Sequence, residues 1–256
     1  MSGQVGYLHR DALAHRGARV RQGWNAAEPP GAEALRGARL PPSVSRRRRA
    51  RRESMAVGRI GLPVMASRNT RILEAAARVI ARRGVRGLRV EELAAEAGVS
   101  TGLIYYHFKD RTGILRHTLE FISDRAERYT NARDPEAPPL GPREELQQVL
   151  LLELQDSEEV RENSAAWGEL RASAVFDPAL REDLARATLV WVQEVAALLG
   201  QVRPMAPAAK LAAAAERLTA LLEGLSMRWL SGGVGIDHAR ALMESGIEAE
   251  LAALEG

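Results

Sequence analysis

The chain contains no cysteine. A disulfide framework, a thiolate zinc site and a thiol nucleophile are therefore excluded at all 256 positions. Lysine is almost missing as well: of 36 basic residues, only Lys109 and Lys210 are not arginine. That skew matches the usage of a GC-rich genome, so the placement of the arginines is informative and their number is not. Apolar runs of about 18 residues, the length of a membrane-spanning helix, do not occur. The expected location is the cytoplasm, with no membrane partner. Arg46 to Arg52 followed by the short apolar stretch Met55 to Ala66 has the outline of a twin-arginine signal. Arg59 interrupts that stretch, and export is set aside.

What is present is an ordinary globular composition, 46% hydrophobic and 27% charged. The net charge of +3 conceals a gradient. Residues 1–66 carry 13 basic against 4 acidic side chains, residues 67–131 carry 12 against 8, and residues 132–256 carry 11 against 21. A polyanionic partner is thus expected for the N-terminal half alone. Three segments follow: 1–66, a disordered basic extension; 67–131, a helical unit with its connecting helix; and 132–256, a larger helical region. The first is rich in Gly and Pro and lacks a sustained apolar period. It is either a start-site extension ahead of Met55 or Met65, or a basic arm whose Arg46 to Arg52 run lies on phosphate.

From Asn69 the pattern is helical. Ile72, Leu73, Ala76, Val79 and Ile80 share one face of a helix that Asn69 or Thr70 can cap and Gly84 ends. A short second helix covers Val90 to Ala97, stopped by Gly98; Ser100 caps a third to about Phe108, and Asp110 caps a fourth to about Asn131. The Pro-rich stretch from Asp134 to Pro142 is a connection, after which helices are expected over 143–156, 158–175, 178–200, 206–231 and 236–253. No strand-length alternation is found, so the fold class is all-α: an N-terminal three-helix unit plus a C-terminal helical bundle.

A helix, a glycine turn and a short helix opening on a serine cap form the helix-turn-helix pattern. In the third helix Ile104 and Phe108 are the natural core pair, which leaves Thr101, Leu103, Tyr105 and His107 as the exposed set. Gly102 lets a phosphate or base edge approach the backbone, and Tyr106 is expected to be partly buried with its hydroxyl outward. Arg89 and Val90 flank the surface at the start of helix two, and Lys109 and Arg111 flank it at the start of helix four, whose free N–H groups suit phosphate.

The run from Val90 to Lys109, with its Ala97-Gly98-Val99-Ser100 turn and its Tyr105-Tyr106-His107-Phe108-Lys109 ending, resembles the DNA-binding domain of TetR/AcrR-type transcriptional regulators. The resemblance implies a homodimeric, ligand-responsive repressor on a near-palindromic double-stranded operator. It places the DNA contacts at Thr101, Gly102, Leu103, Tyr105, His107 and Lys109, with Tyr105 and Lys109 on phosphate, and the dimer interface at roughly 206–253. Two departures stand out. Arg89 occupies a helix cap that is commonly Thr in the family, and Thr112-Gly113 replaces acidic helix formers, which suggests a loose start to helix four.

Other motifs carry less. Gly98-Val99-Ser100-Thr101-Gly102 fits the nucleophile elbow G-x-S-x-G, but a helix rather than a strand precedes it, so Ser100 is read as a cap and no catalytic residue is assigned. The five histidines show no ligand spacing, and neither metal nor cofactor is expected. Trp167, Leu170, Trp191 and Met227 are candidates for lining the pocket of an unidentified small-molecule effector, with Trp167 and Trp191 offering an aromatic cage for a cation. Two rivals remain: a non-sensing regulator or activator, and a helical binding protein or enzyme with a vestigial helix-turn-helix.

Overall fold

The computed structural model describes residues 68–132 and 138–255. The expected basic extension at 1–66 lies outside the described residues. Among the described residues there are nine α-helices and no strand: α1 Arg68–Arg83, α2 Val90–Ala97, α3 Thr101–Phe108, α4 Arg111–Thr130, α5 Pro142–Leu151, α6 Glu158–Ala174, α7 Pro178–Val202, α8 Ala208–Leu230 and α9 Ile236–Ala253.

Local chemistry sets most boundaries. Gly84, at φ 72°, ends α1 and leads into a 3-10 turn at Val85–Gly87 that the periodicity did not announce. Gly98 adopts the left-handed conformation at the end of α2 (φ 64°). The Ser100 hydroxyl accepts from the Leu103 amide at 3.3 Å, and the Asp110 carboxylate accepts from the Gly113 amide at 2.7 Å. Asn69 and Thr70 are not caps, because both lie inside the first turn of α1. α5 stops at Leu151, short of the expected residue 156. Arg240 of α9 donates to the carbonyls of Leu151 and Leu154 at 2.9 and 2.8 Å, satisfying acceptors that a longer helix would have used.

Two cores result. One joins α1 to α4 with Ala166, Leu170 and Ala174 of α6 and Leu180 and Leu184 of α7. The other gathers α5, the later part of α7, α8 and α9 around Leu146, Leu150, Val195, Leu199, Leu218, Met243 and Ile247. The three helices of the helix-turn-helix are thus packed from behind by α4, α6 and the start of α7.

The joint between α3 and α4 is tight, not loose. Lys109 is the one non-glycine residue with positive φ among those described (φ 65°, ψ −59°), and the Asp110 amide donates back to the Phe108 carbonyl at 2.8 Å. These values make Lys109 the centre of a γ-turn, a strained conformation for an L-residue. Gly113 is buried against that carbonyl, where a methyl group would stand 2.0 Å from the Phe108 oxygen. Its lack of a side chain is what allows the close approach. Gly113→Ala should therefore destabilise the protein by about 1–3 kcal/mol through overpacking. Urea unfolding checks this; an unchanged midpoint would mean that the helix ends can separate freely.

Candidate nucleic-acid interface and ligand cavity

Helix α3 presents its outer surface through residues that the core cannot use. Ile104 and Phe108 are buried, while Thr101, Gly102, Tyr105 and Lys109 are exposed. A methyl group at Gly102 would meet nothing closer than the Ser100 hydroxyl at 4.0 Å, so its backbone is open to approach. Three expectations change. Tyr106 is not partly buried but 81% exposed, more so than Tyr105 at 50%. Leu103 and His107 are half-buried rather than fully exposed, and the His107 ring packs edge-on to Tyr106 at 5.1 Å between centroids. Arg111 is exposed but not free: its guanidinium donates to the Val85 carbonyl at 2.5 Å and ties α4 to the 3-10 turn. Arg89 is exposed and Val90 half-buried at the start of α2, with no side-chain cap on that helix.

The same turn is held from the other side. The Val85 amide donates to the Glu169 carboxylate of α6 at 3.3 Å, so one peptide segment is gripped by α4 and α6 together. Gly84 makes room for this, since a methyl group there would lie 2.7 Å from the Glu169 oxygen. Sequence patterning gave no sign of Glu169, whose partner is a backbone group 84 residues away.

Behind the helix-turn-helix, α4, α6, α7, α8 and the turn at Glu153 enclose a cavity of about 460 Å³. Trp167, Trp191 and Met227 line it. Leu170 does not: it is 2% exposed and faces α1 in the first core, because it lies on the side of α6 opposite Gly168. The polar wall was not anticipated. Among the described residues, five carboxylates, on Asp124, Glu127, Glu153, Glu194 and Glu223, line the cavity with one basic residue, Arg171. Arg171 donates to Glu223 at 2.5 Å and to the Thr188 hydroxyl at 2.9 Å, and its guanidinium carbon lies 5.6 Å from the centre of the Trp167 ring.

A hydrogen-bonded chain runs along the floor. Buried Arg125 donates to Asn163 and Glu162 at 2.8 and 2.7 Å, Asn163 donates to the Tyr129 hydroxyl at 3.4 Å, and Tyr129 donates to Glu153 at 2.6 Å. Burial pushes the Glu153 carboxyl up to about 7, with the Tyr129 hydrogen bond opposing. Burial also raises Tyr129, reinforced by the Glu153 charge.

Known proteins resemble both the N-terminal and the C-terminal parts of the chain. Residues 72–118 match the family of bacterial regulatory proteins named tetR, and residues 142–252 match the C-terminal part of BetI-type transcriptional repressors. A TetR-family regulator of known structure from a Rhodococcus species is 44% identical, covers 73% of this chain and all of its own, and superposes with a TM-score of 0.67. The chain belongs to the TetR family. A transcriptional regulator from Saccharomonospora viridis, solved in complex with choline, is 29% identical over 71% of this chain and 95% of its own, with a TM-score of 0.60. The HTH-type transcriptional regulator BetI of Serratia proteamaculans is 26% identical over 184 residues, 68% of this chain and 87% of that protein. The TetR-family chain is accordingly a DNA-binding transcriptional regulator, of a family that acts on operators as dimers. Among the described residues no helix is long and apolar enough to cross a membrane, and no group of His, Asp and Glu is arranged to hold a metal.

The Glu153 geometry has a pH signature. Its folded-state affinity for a proton exceeds that of the unfolded chain, where the ordinary value is 4.5. The contribution to stability is thus full below about 4.5, is lost as pH rises toward 7, and is flat above. Melting temperatures of the ligand-free protein and of Glu153→Gln should diverge across that window, the variant being the more stable at pH 8. A difference that does not change with pH would show the carboxyl to be ionised throughout.

Proposed function

We propose that this regulator is an effector-responsive repressor whose effector is a small organic cation of the quaternary ammonium type. The observation that carries the reading is the wall of the cavity, where the Glu223 carboxylate is fixed beside the Trp167 indole and Trp191 lies among the apolar residues. Aromatic faces and carboxylates together favour a cation that is too weakly hydrated to hold its own water shell. The choline bound to the Saccharomonospora relative and the BetI-type match of residues 142–252 support the same chemistry.

Residues 67–131 would read DNA, and residues 132–256 would sense the effector and dimerise. Thr101, Gly102, Leu103, Tyr105, Tyr106, His107 and Lys109 form the reading surface, with Arg89 and Val90 at its edge. Arg111 acts there indirectly, as the residue that fixes α4 to the turn before α2. The second copy of the chain would pack on α8 and α9, approximately residues 206–253, where Ala209, Ala220 and Gly224 are exposed and nothing lies within 4 Å of the side-chain direction of Gly224. Two recognition helices on one face of DNA must stand about 34–36 Å apart, or a multiple of that. A cation that binds one arrangement better than the other can therefore release the operator, to the extent of that difference in affinity.

Selection of bound sequences from random DNA supplies the operator and tests the reading surface. Tyr105→Phe and Lys109→Ala should weaken binding to every selected sequence alike, whereas Thr101→Ala and Leu103→Ala should shift base preference by about 1–3 kcal/mol per affected position. Choline added to the complex should lower its fluorescence anisotropy in proportion to occupancy. Recovery of no paired half-sites, or release by anions rather than cations, would count against the reading.

A further inference from the structure

The site suited to a cation already contains one. Arg171 lies one turn from Trp167 on α6, with its guanidinium over the indole and its Nη2 between Glu223 of α8 and Thr188 of α7. The Trp167 indole N–H donates to the same Glu223 oxygen at 3.3 Å, so aromatic face and carboxylate are fixed beside each other. Arg171 fills this place imperfectly. Its Nε is buried with no acceptor, and its side chain keeps 36% of its surface exposed. A guanidinium held by one edge with one donor unsatisfied is a weak occupant, since an unmet buried donor opposes the pairing.

We propose that Arg171 is a resident competitor: in the ligand-free protein it occupies the Trp167–Glu223 cation site, and an effector cation binds by displacing it. The proposal rests on the small-cation reading above and adds the route by which that cation acts. A quaternary ammonium has no N–H and cannot replace the hydrogen bonds to Glu223 and Thr188. It competes by ring contact and by the smaller penalty of leaving water. Displacement then undoes a cross-link among α6, α7 and α8, and the arginine swings out through the open side of the cavity. Small primary amines, more strongly hydrated, displace it less well, which makes Arg171 a determinant of specificity as well as of affinity.

The consequence has an unusual sign, because removal of a cavity residue should improve binding. Calorimetric titration with choline should show Arg171→Met binding about tenfold more tightly than the parent, with Arg171→Lys close to the parent. Methylguanidinium should compete with choline in Arg171→Met, where its place is vacant, far better than in the parent. Glu223→Gln, which keeps the arginine and removes the carboxylate that both cations use, should bind choline at least about tenfold more weakly. It serves also if Arg171→Met does not fold. Equal or weaker binding by a folded Arg171→Met, or parental affinity in Glu223→Gln, would overturn the displacement. A parent protein that takes up no choline at all would instead overturn the small-cation reading itself, and the proposal with it.

Discussion

Helix α6 is buried on two sides by different parts of the protein, and the rest of the architecture depends on that sharing. Ala166, Leu170 and Ala174 recur every fourth residue and sit in the core behind the helix-turn-helix; the small alanines let α1 lie close against them. Trp167, Gly168 and Arg171 project from a neighbouring face into the cavity. At Gly168 a methyl group would stand 2.4 Å from the Met227 sulfur, so any side chain there would have to push the thioether aside. On a third face Glu169 holds the Val85 amide while Arg111 holds the Val85 carbonyl. A displacement of α6 is therefore felt at once in the turn before α2 and at the start of α4, the two elements that flank α3. This contiguous set of packed and hydrogen-bonded groups runs from the cavity to the helix-turn-helix without a long path.

The cavity is expensive for an empty protein. Carboxylates gathered around a space of about 460 Å³ repel one another, and at two of them the relief is visible. Glu153 keeps its proton up to about 7, while Glu223 is neutralised by Arg171. On the proposed small-cation reading both devices would be replaced by the ligand: one would give up its proton and the other its partner. Because the Arg171–Glu223 pair is partly exposed, its loss is modest in energy, less than breaking the largely buried Arg125–Glu162 pair. The floor network can thus stay intact while the wall rearranges.

The elements of the helix-turn-helix were legible in the sequence because they are specified locally. A glycine that must adopt positive φ, a serine or aspartate within reach of an amide three residues on, and an apolar pair at i, i+4 all declare themselves in a short window. The cavity was legible only as apolar helix faces with tryptophans. Its carboxylates look like ordinary surface charge until four helices and a turn bring them together, and helical spacing could not say that Trp167 faces the cavity while Leu170 faces α1. The structural tie of Arg111 was hidden for the same reason. Next to a recognition helix an arginine suggests phosphate, and its acceptor within the chain is a carbonyl 26 residues earlier in a turn that the period does not reveal.

The connection between α3 and α4 completes the link from cavity to surface. A flexible joint would absorb any movement of α4 before it reached the recognition helix. This joint has two residues between the helices, one of them held at φ 65°, and a glycine packed against the last carbonyl of α3. Strain at Lys109 persists because its surroundings over-determine it: the Tyr105 carbonyl takes its amide, and the Phe108 carbonyl takes the amide of Asp110, whose side chain caps α4. Helices α3 and α4 must then move as one body. The same constraint fixes where the lysine backbone stands at the end of the proposed reading surface, so the geometry that would transmit a shift of α4 would also set the direction from which Lys109 meets a phosphate.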